Sequence, residues 1–300
     1  GSWAAWPARC CRGDDKDLSE HSPPMTEPRV ALISGNEIAE TLLITLYVRA
    51  MELRQPEPLL RDETAAALVD RLDYDRIRLL DHDRAGIVVR VRQFDRWTRA
   101  FMAGHPGAPV VSLGCGLDTR FERIDDGRVV WYDLDLPEVM AVRQRLLPGG
   151  ARQCCLASSV FDPSWMDAVE PSTAPPLFVA EGMLPYFTEA QVRGLVLALR
   201  ERFPGAELIT DAMTPLMVRS HNLELRANRV EARLRWGLKH PRDLEAWAPG
   251  IRLLDQWHYL DQPEPRLARV GWLRHVPFLA RGVGIYRYLL GQPDRIAGPG

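Results

Sequence analysis

From Pro109 onward the chain alternates short apolar runs with stretches of helical periodicity, and this alternation restricts the fold more than any other feature. The strand candidates are 109–113, 128–132, 152–156, 177–180, 207–210, 251–257 and 283–290. Helical segments fit between most of them. The clearest is TEAQVRGLVLALRERF, where Thr188 and Gln191 stand at capping-box spacing and Val192, Leu195, Val196, Leu199 and Phe203 share one face. Strands separated by helices pair in parallel and need cover on both faces of the sheet. The expected fold is therefore α/β, with a doubly wound sheet.

Before Pro109 the pattern is helical throughout. NEIAETLLITLYVRAMELRQ ends at Pro56 and Pro58, RDETAAALVDRL follows, and a third helix covers 84–103. In that third helix Ile87, Val91, Phe94, Trp97 and Phe101 form one apolar stripe. Arg90 falls inside the stripe, between Phe94 and Trp97 in angle, whereas Arg92, Arg96 and Arg99 point away. A guanidinium on an apolar face needs an anion. These segments divide the chain into a lead (1–30) outside the fold, one domain (31–292) and a flexible tail (293–300). Within the domain the divisions are a helical cap (31–105), a core (106–213), a helical insertion that reads as a lid (214–250) and C-terminal strands (251–292).

Composition sets the outer limits. A chain of 300 residues with 46% hydrophobic content supports a core of this size. A formal charge of −2 gives no broad basic footprint for nucleic acid. No apolar run reaches the length of about 18 residues that a membrane helix needs. Five cysteines without a Cys-x-x-Cys spacing argue against a zinc site or a disulfide framework, so no metal is expected. The first residues lack the pattern of a signal peptide, and a reducing cytoplasm is the expected location.

Ligands of open α/β sheets bind at the carboxyl ends of the strands. Five such ends carry glycine or polar residues here: Gly114 and Gly116, Asp133 and Asp135, Ser158 and Ser159, Glu181 and Gly182, and Asp211. The first belongs to VVSLGCGLDTR. A dinucleotide fingerprint needs a third glycine where Thr119 stands, which disfavours a pyrophosphate on the following helix and a nicotinamide dehydrogenase with it. The acids at 133 and 135 follow at the spacing of about 20 residues at which a carboxylate meets ribose hydroxyls. A ribose without a pyrophosphate describes S-adenosylmethionine. Each residue also has a plainer reading: a tight turn for the glycines, a helix cap for Asp135, an internal salt bridge for Arg90, a solvated loop for Glu181, and ordinary packing for Tyr186.

The segments ETLLITLYVRAMELRQPEPLLRDETAA, GIVVRVRQFD, VVSLGCGLDTRFERID, VVWYDLDLPEV and LFVAEGMLPYF, in this order, resemble the leucine carboxyl methyltransferase family, in its bacterial branch of polyketide O-methyltransferases. The resemblance runs from about residue 40 to 213 and is loose in the C-terminal third. It implies a class I S-adenosylmethionine-dependent methyltransferase fold, with a Rossmann-like seven-stranded sheet. S-adenosyl-L-methionine would be the cofactor and S-adenosyl-L-homocysteine the product. By position it implies that Gly114, in the loop with Gly116, lies beside the methionine part of the cofactor. Asp135 would hold the ribose hydroxyls, Glu181 would sit near the amino group and sulfonium, and Arg90 would pair with the cofactor's carboxylate. Ser159 and Val160 fall near the adenine, where the family usually has aspartate followed by an apolar residue. Serine keeps a hydrogen bond there and loses the charge.

The expected activity is methyl transfer to an oxygen of a small hydrophobic, polyketide-like acid. A carboxylic acid with a pKa of about 4 is ionised at neutral pH and needs no base, whereas a phenol costs about 4 kcal/mol to ionise at pH 7. No motif-grade base is present, which favours a carboxylate acceptor. The substrate-side candidates are Tyr186, Asp211 and His221. Two alternatives stay open: a hydroxyl methyltransferase on a phenolic natural product, with His221, His240 or Asp211 as base, and a scaffold that keeps the cofactor pocket without turnover. The partner is a small molecule, with neither nucleic acid nor membrane expected.

Overall fold

The computed structural model describes residues 37–72, 81–147, 149–227, 232–261, 265–268 and 271–291. The expected lead (1–30) and tail (293–300) lie outside the described residues. Helices α1 (Glu37–Leu53), α2 (Glu63–Arg71) and α3 (Asp81–Gly104) precede β1 (Val110–Leu113). There follow α4 (Arg120–Ile124), β2 (Trp131–Asp135), α5 (Pro137–Leu146), β3 (Gln153–Ala157), β4 (Leu177–Ala180), α6 (Glu189–Arg202) and β5 (Glu207–Met213). The chain closes with α7 (Pro215–Ala227), β6 (Arg252–His258), α8 (Pro277–Ala280) and β7 (Val283–Leu289).

The strands form one seven-stranded sheet of order β3-β2-β1-β4-β5-β7-β6. The first five run parallel, as the strand–helix alternation predicts. The parallel expectation fails at the end of the chain, because β7 lies antiparallel between β5 and β6. β6 and β7 are sheet neighbours, and among the described residues their connection carries only the four-residue α8 in place of a full crossover helix. The strand order reverses between β1 and β4. The crevice above their carboxyl ends is therefore where an α/β sheet of this kind opens to a ligand.

Packing explains why these segments are strands. β1 and β4 are buried at every position, as strands covered on both faces must be. On one face Leu113, Tyr132, Leu134 and Phe178 pack against Val192, Leu195, Val196 and Leu199 of α6. The predicted capping box of Thr188 and Gln191 starts that helix. On the other face Phe94, Trp97 and Phe101 of α3 cover Val110, Trp131, Leu177, Val179 and Ile209.

Two expectations are corrected. β2 begins at Trp131 rather than 128, so Asp133 lies within the strand. Its burial is tolerated because its carboxylate accepts from Trp131 Nε1 (3.0 Å), Arg143 Nη2 (2.7 Å) and Gln153 Nε2 (2.8 Å). The insertion 214–250 is helical mainly in α7. Leu234, Trp236 and Leu238 are buried with less buried residues between them, the two-residue period of an extended segment. That segment is tied by Arg235 N and Trp236 N to Pro185 O and by Leu238 N to Met213 O. Trp236 and Trp247, within the stretch 214–250 read as a lid, pack on each other at 6.4 Å against the main core. Among the described residues no helix is long and apolar enough to cross a membrane, and no cluster of three metal-ligating side chains occurs.

Candidate functional site

The loop after β1 turns through two left-handed residues, Gly114 (φ 63°) and Gly116 (φ 51°). A Cβ at Gly114 would stand 2.7 Å from Met183 Sδ. Glycine is needed there on both counts, and Gly114→Ala is expected to destabilise the protein by about 1–3 kcal/mol. Urea unfolding reads this directly, and an unchanged midpoint would contradict it. The loop is held from below and from the side. Cys115 N donates to Leu134 O (3.1 Å), and Arg143 Nη1 donates to the carbonyls of Gly116 (3.1 Å) and Asp118 (2.6 Å). Gly116 N donates to Asp135 Oδ2 (2.7 Å), while Asp135 Oδ1 accepts from Leu136 N (2.7 Å). Asp135 is thus no helix cap: the N-cap of α5 is Leu136, without a side-chain bond. Burial pushes the Asp135 carboxyl up, although both backbone N–H groups pull the other way.

The end of β3 lies alongside, with Ser158 N donating to Asp135 O (2.9 Å). Ser159 Oγ accepts from Phe161 N (3.3 Å), and Val160 O accepts from Trp165 Nε1 (3.2 Å). Gly114, Gly116, Asp135, Ser159 and Val160 therefore meet at three neighbouring strand ends. Cys115 between the glycines is buried, and desolvation raises its thiol well above the usual range. It fills space and does not present a thiolate.

Behind the loop runs a layer of charge. Glu181, directly after β4, accepts from Arg90 Nε (3.0 Å) on one oxygen and Arg120 Nη2 (2.5 Å) on the other. Arg90 Nη1 also reaches Asp211 Oδ2 (3.4 Å), and Asp211 Oδ1 accepts from Gly182 N (2.7 Å). Arg120, 2% exposed, continues to Asp95 (2.8 Å) and Asp118 (2.8 Å). Arg123 bonds Asp95 (2.9 Å), Asp118 (3.1 Å) and Asp62 (2.8 Å), and Arg49 closes the chain on Asp62 (2.9 Å). Asp62 also caps α2 by accepting from Ala65 N. Burial alone would raise the Asp95 and Asp118 carboxyls, but Arg120 and Arg123 outweigh it and hold both below the usual range. Burial likewise opposes charge on Arg90, and Glu181 and Asp211 overcome it, leaving Arg90 raised.

Tyr186 and Tyr259 complete the corner around Arg90 and Asp211. Burial raises both phenols, as it raises the Asp211 carboxyl. His221 stands apart on α7, with its side chain 38% exposed and its partner Glu224 at 3.7 Å on the same helix. Sequence reasoning thus found Arg90, Glu181, Asp211 and Tyr186, which the fold brings together, and missed Arg49, Asp62, Asp95, Arg123 and Tyr259. For Asp95 a signal existed. It occupies the row Val88, Val91, Asp95, Thr98 and Met102, every member of which is buried.

Residues 42–200 match the family described as leucine carboxyl methyltransferase. The chain is 39% identical over 229 residues to the tetracenomycin polyketide synthesis O-methyltransferase TcmP of Streptomyces glaucescens, covering 75% of this chain and 84% of that one. It is 28% identical over 260 residues to the S-adenosyl-L-methionine-dependent methyltransferase dpfgK of Gibberella zeae, covering 78% and 86%. Among solved structures, a DUF574 family protein from Streptomyces avermitilis shares the fold with a TM-score of 0.52 at 17% identity, covering 86% of this chain and 100% of that one.

Proposed function

The chain belongs to the leucine carboxyl methyltransferase family, and on that premise we propose that it methylates the carboxylate of a small hydrophobic, polyketide-like acid. It is an S-adenosylmethionine-dependent methyltransferase with the class I α/β fold. The observation that carries the choice of acceptor is the corner at Arg90, Asp211 and Tyr186. Its phenol is pushed up rather than down, and the histidine candidate His221 faces solvent. Such a corner can orient an acid that arrives ionised. It is ill suited to remove a proton from a phenol.

The residues present fit the cofactor. Asp135 keeps lone pairs beyond its two backbone bonds for a ribose diol, at the strand end where a nucleoside-binding sheet places an acid. Ser159 and Val160 border the same end, toward the adenine. Gly114 lets backbone approach the methionine part, and Arg90 beside Gly182 would take its carboxylate. Glu181 would lie near the sulfonium and amino group, with its charge shared between Arg90 and Arg120. When bound, S-adenosylmethionine supplies a methyl group on a positively charged sulfur.

An acid held at this corner would accept that methyl group as the carboxylate, with S-adenosylhomocysteine as the leaving product and no proton to remove, so the residues here would have only to bind and orient it. Alignment then provides most of the rate, for which about 7–11 kcal/mol is available to well-oriented reactants. The other rate term, loss of water from the acceptor, follows from the burial of the corner. One observation favours a hydroxyl acceptor instead: burial raises the Asp211 carboxyl, which makes it a stronger base. Both Asp211 oxygens already have partners, which weighs against that role.

The pH profile separates the two readings. With an accepted acid, kcat is expected to stay level down to about pH 5, because the acceptor's own pKa is about 4. A limb falling through about pH 6.5 that vanishes on replacing His221 or Asp211 would place a base in the reaction and the hydroxyl reading in front.

A further inference from the structure

The charged groups of the corner are largely satisfied by each other. Glu181 has an arginine on each oxygen, and Asp211 has Arg90 on one and Gly182 N on the other. The two phenols are different. Neither the Tyr186 nor the Tyr259 hydroxyl has a hydrogen-bond partner among the described residues, and neither is sealed from accessible space. An unmade hydrogen bond in a mostly buried corner points to a ligand that makes it.

The two reach the corner from separate elements. Tyr186 closes the turn after β4, and Tyr259 follows β6. The Tyr259 ring is placed by packing: Trp257 lies 5.3 Å away, and a Cβ on Gly86, one turn of α3 before Arg90, would meet its Cε1 at 3.9 Å. Both phenols interact with Arg90 and Asp211, and Tyr259 also with Glu181. Asp211 belongs to β5, one strand farther from the glycine loop than Glu181. The phenols therefore border the crevice on its Arg90–Asp211 side.

We propose that Tyr259, together with Tyr186, forms a carboxylate receptor in which the Tyr259 hydroxyl donates to the acceptor oxygen that is not methylated. This rests on the carboxylate reading of the function. Two hydroxyl donors match an anion with two oxygens, and Arg90 stays with the cofactor's carboxylate. Burial keeps both phenols protonated through the neutral range, so they act as donors. A donor on the spectator oxygen holds the acid without occupying the reacting one.

The test starts with wild-type turnover of a panel of one- to four-ring aromatic carboxylic acids and the matching phenols, read by product mass. On the best acid, Tyr259→Phe is expected to raise KM about 10- to 100-fold and leave kcat nearly unchanged. Its calorimetric Kd for S-adenosylhomocysteine should match the wild type, a pattern that a merely structural role would not produce. An unchanged KM overturns the proposal. So does a rise in the S-adenosylhomocysteine Kd, which would put Tyr259 on the cofactor's own carboxylate. If Tyr259→Leu raises KM and Tyr259→Phe does not, the ring and not the hydroxyl matters, and the proposal again fails. A wild type that methylates only phenols, or nothing, overturns the functional reading itself. Acid turnover indifferent to Tyr259→Phe removes the receptor alone.

Discussion

Arg120→Met is expected to lower the stability of the fold by about 3–5 kcal/mol, the cost of removing one partner from a buried ion pair. The three nitrogens of Arg120 bond three different acids, Asp95, Asp118 and Glu181, and its side chain is 1% exposed. Methionine fills comparable volume, so the loss is of charge and not of packing. Asp95 and Asp118 keep Arg123, and Glu181 keeps Arg90, which limits the damage. Exposed pairs such as Arg54 with Asp70 contribute at most about 1 kcal/mol, which sets the contrast. The loss depends on pH with a definite sign. Asp95 and Asp118 have folded pKa values below their unfolded ones. Their contribution is present above the unfolded carboxylate pKa of about 4 and is lost as pH falls through and below it. Without Arg120 that depression shrinks, so the gap between wild type and variant narrows from pH 7 to about pH 3. Urea unfolding at both values checks this. A gap below about 1 kcal/mol at pH 7 would mean the layer behaves as surface charge.

The parts of this architecture that were legible from sequence are those governed by local burial. β4 and α6 read clearly because a short, fully apolar run, LFVA, and a capped, one-sided helix each suit one arrangement on a covered sheet. The glycine loop read clearly because Gly114 and Gly116 follow a strand at once. β2 was displaced because Trp131–Asp135 contains two acids, which local propensity assigns to a loop. What makes Asp133 a strand residue is Arg143 from α5 and Gln153 from β3, donors remote in sequence. The extended return after α7 was legible in the alternation of Leu234, Trp236 and Leu238, but the helical pattern of α7 was carried too far. Tyr259 had no local signal. Its position depends on β7 entering between β5 and β6, an antiparallel insertion that strand–helix alternation does not announce. Arg90 was legible as an arginine needing an anion, yet its partners come from strand ends about a hundred residues away.

Asp135→Ala is expected to raise the Kd for S-adenosylhomocysteine about 100-fold, as two charge-assisted hydrogen bonds to a ribose diol are lost. The carboxylate has a second task, because its Oδ2 also accepts from Gly116 N and steadies the glycine loop. A drop in affinity alone would not tell loop disorder from lost ribose contacts. Asp135→Asn helps, since it keeps one carbonyl oxygen for Gly116 N and removes the charge; about a 10-fold loss is expected. The decisive comparison uses the 2′-deoxy analogue of S-adenosylhomocysteine. Wild type should lose affinity for it, while Asp135→Ala should bind it and the parent alike, because the hydroxyl then has no acidic partner in either. Equal sensitivity of both proteins to the missing hydroxyl would reduce Asp135 to a loop anchor. The cofactor's ribose would then have to be held by another strand end, with Ser158 and Ser159 of the neighbouring β3 turn next to be substituted.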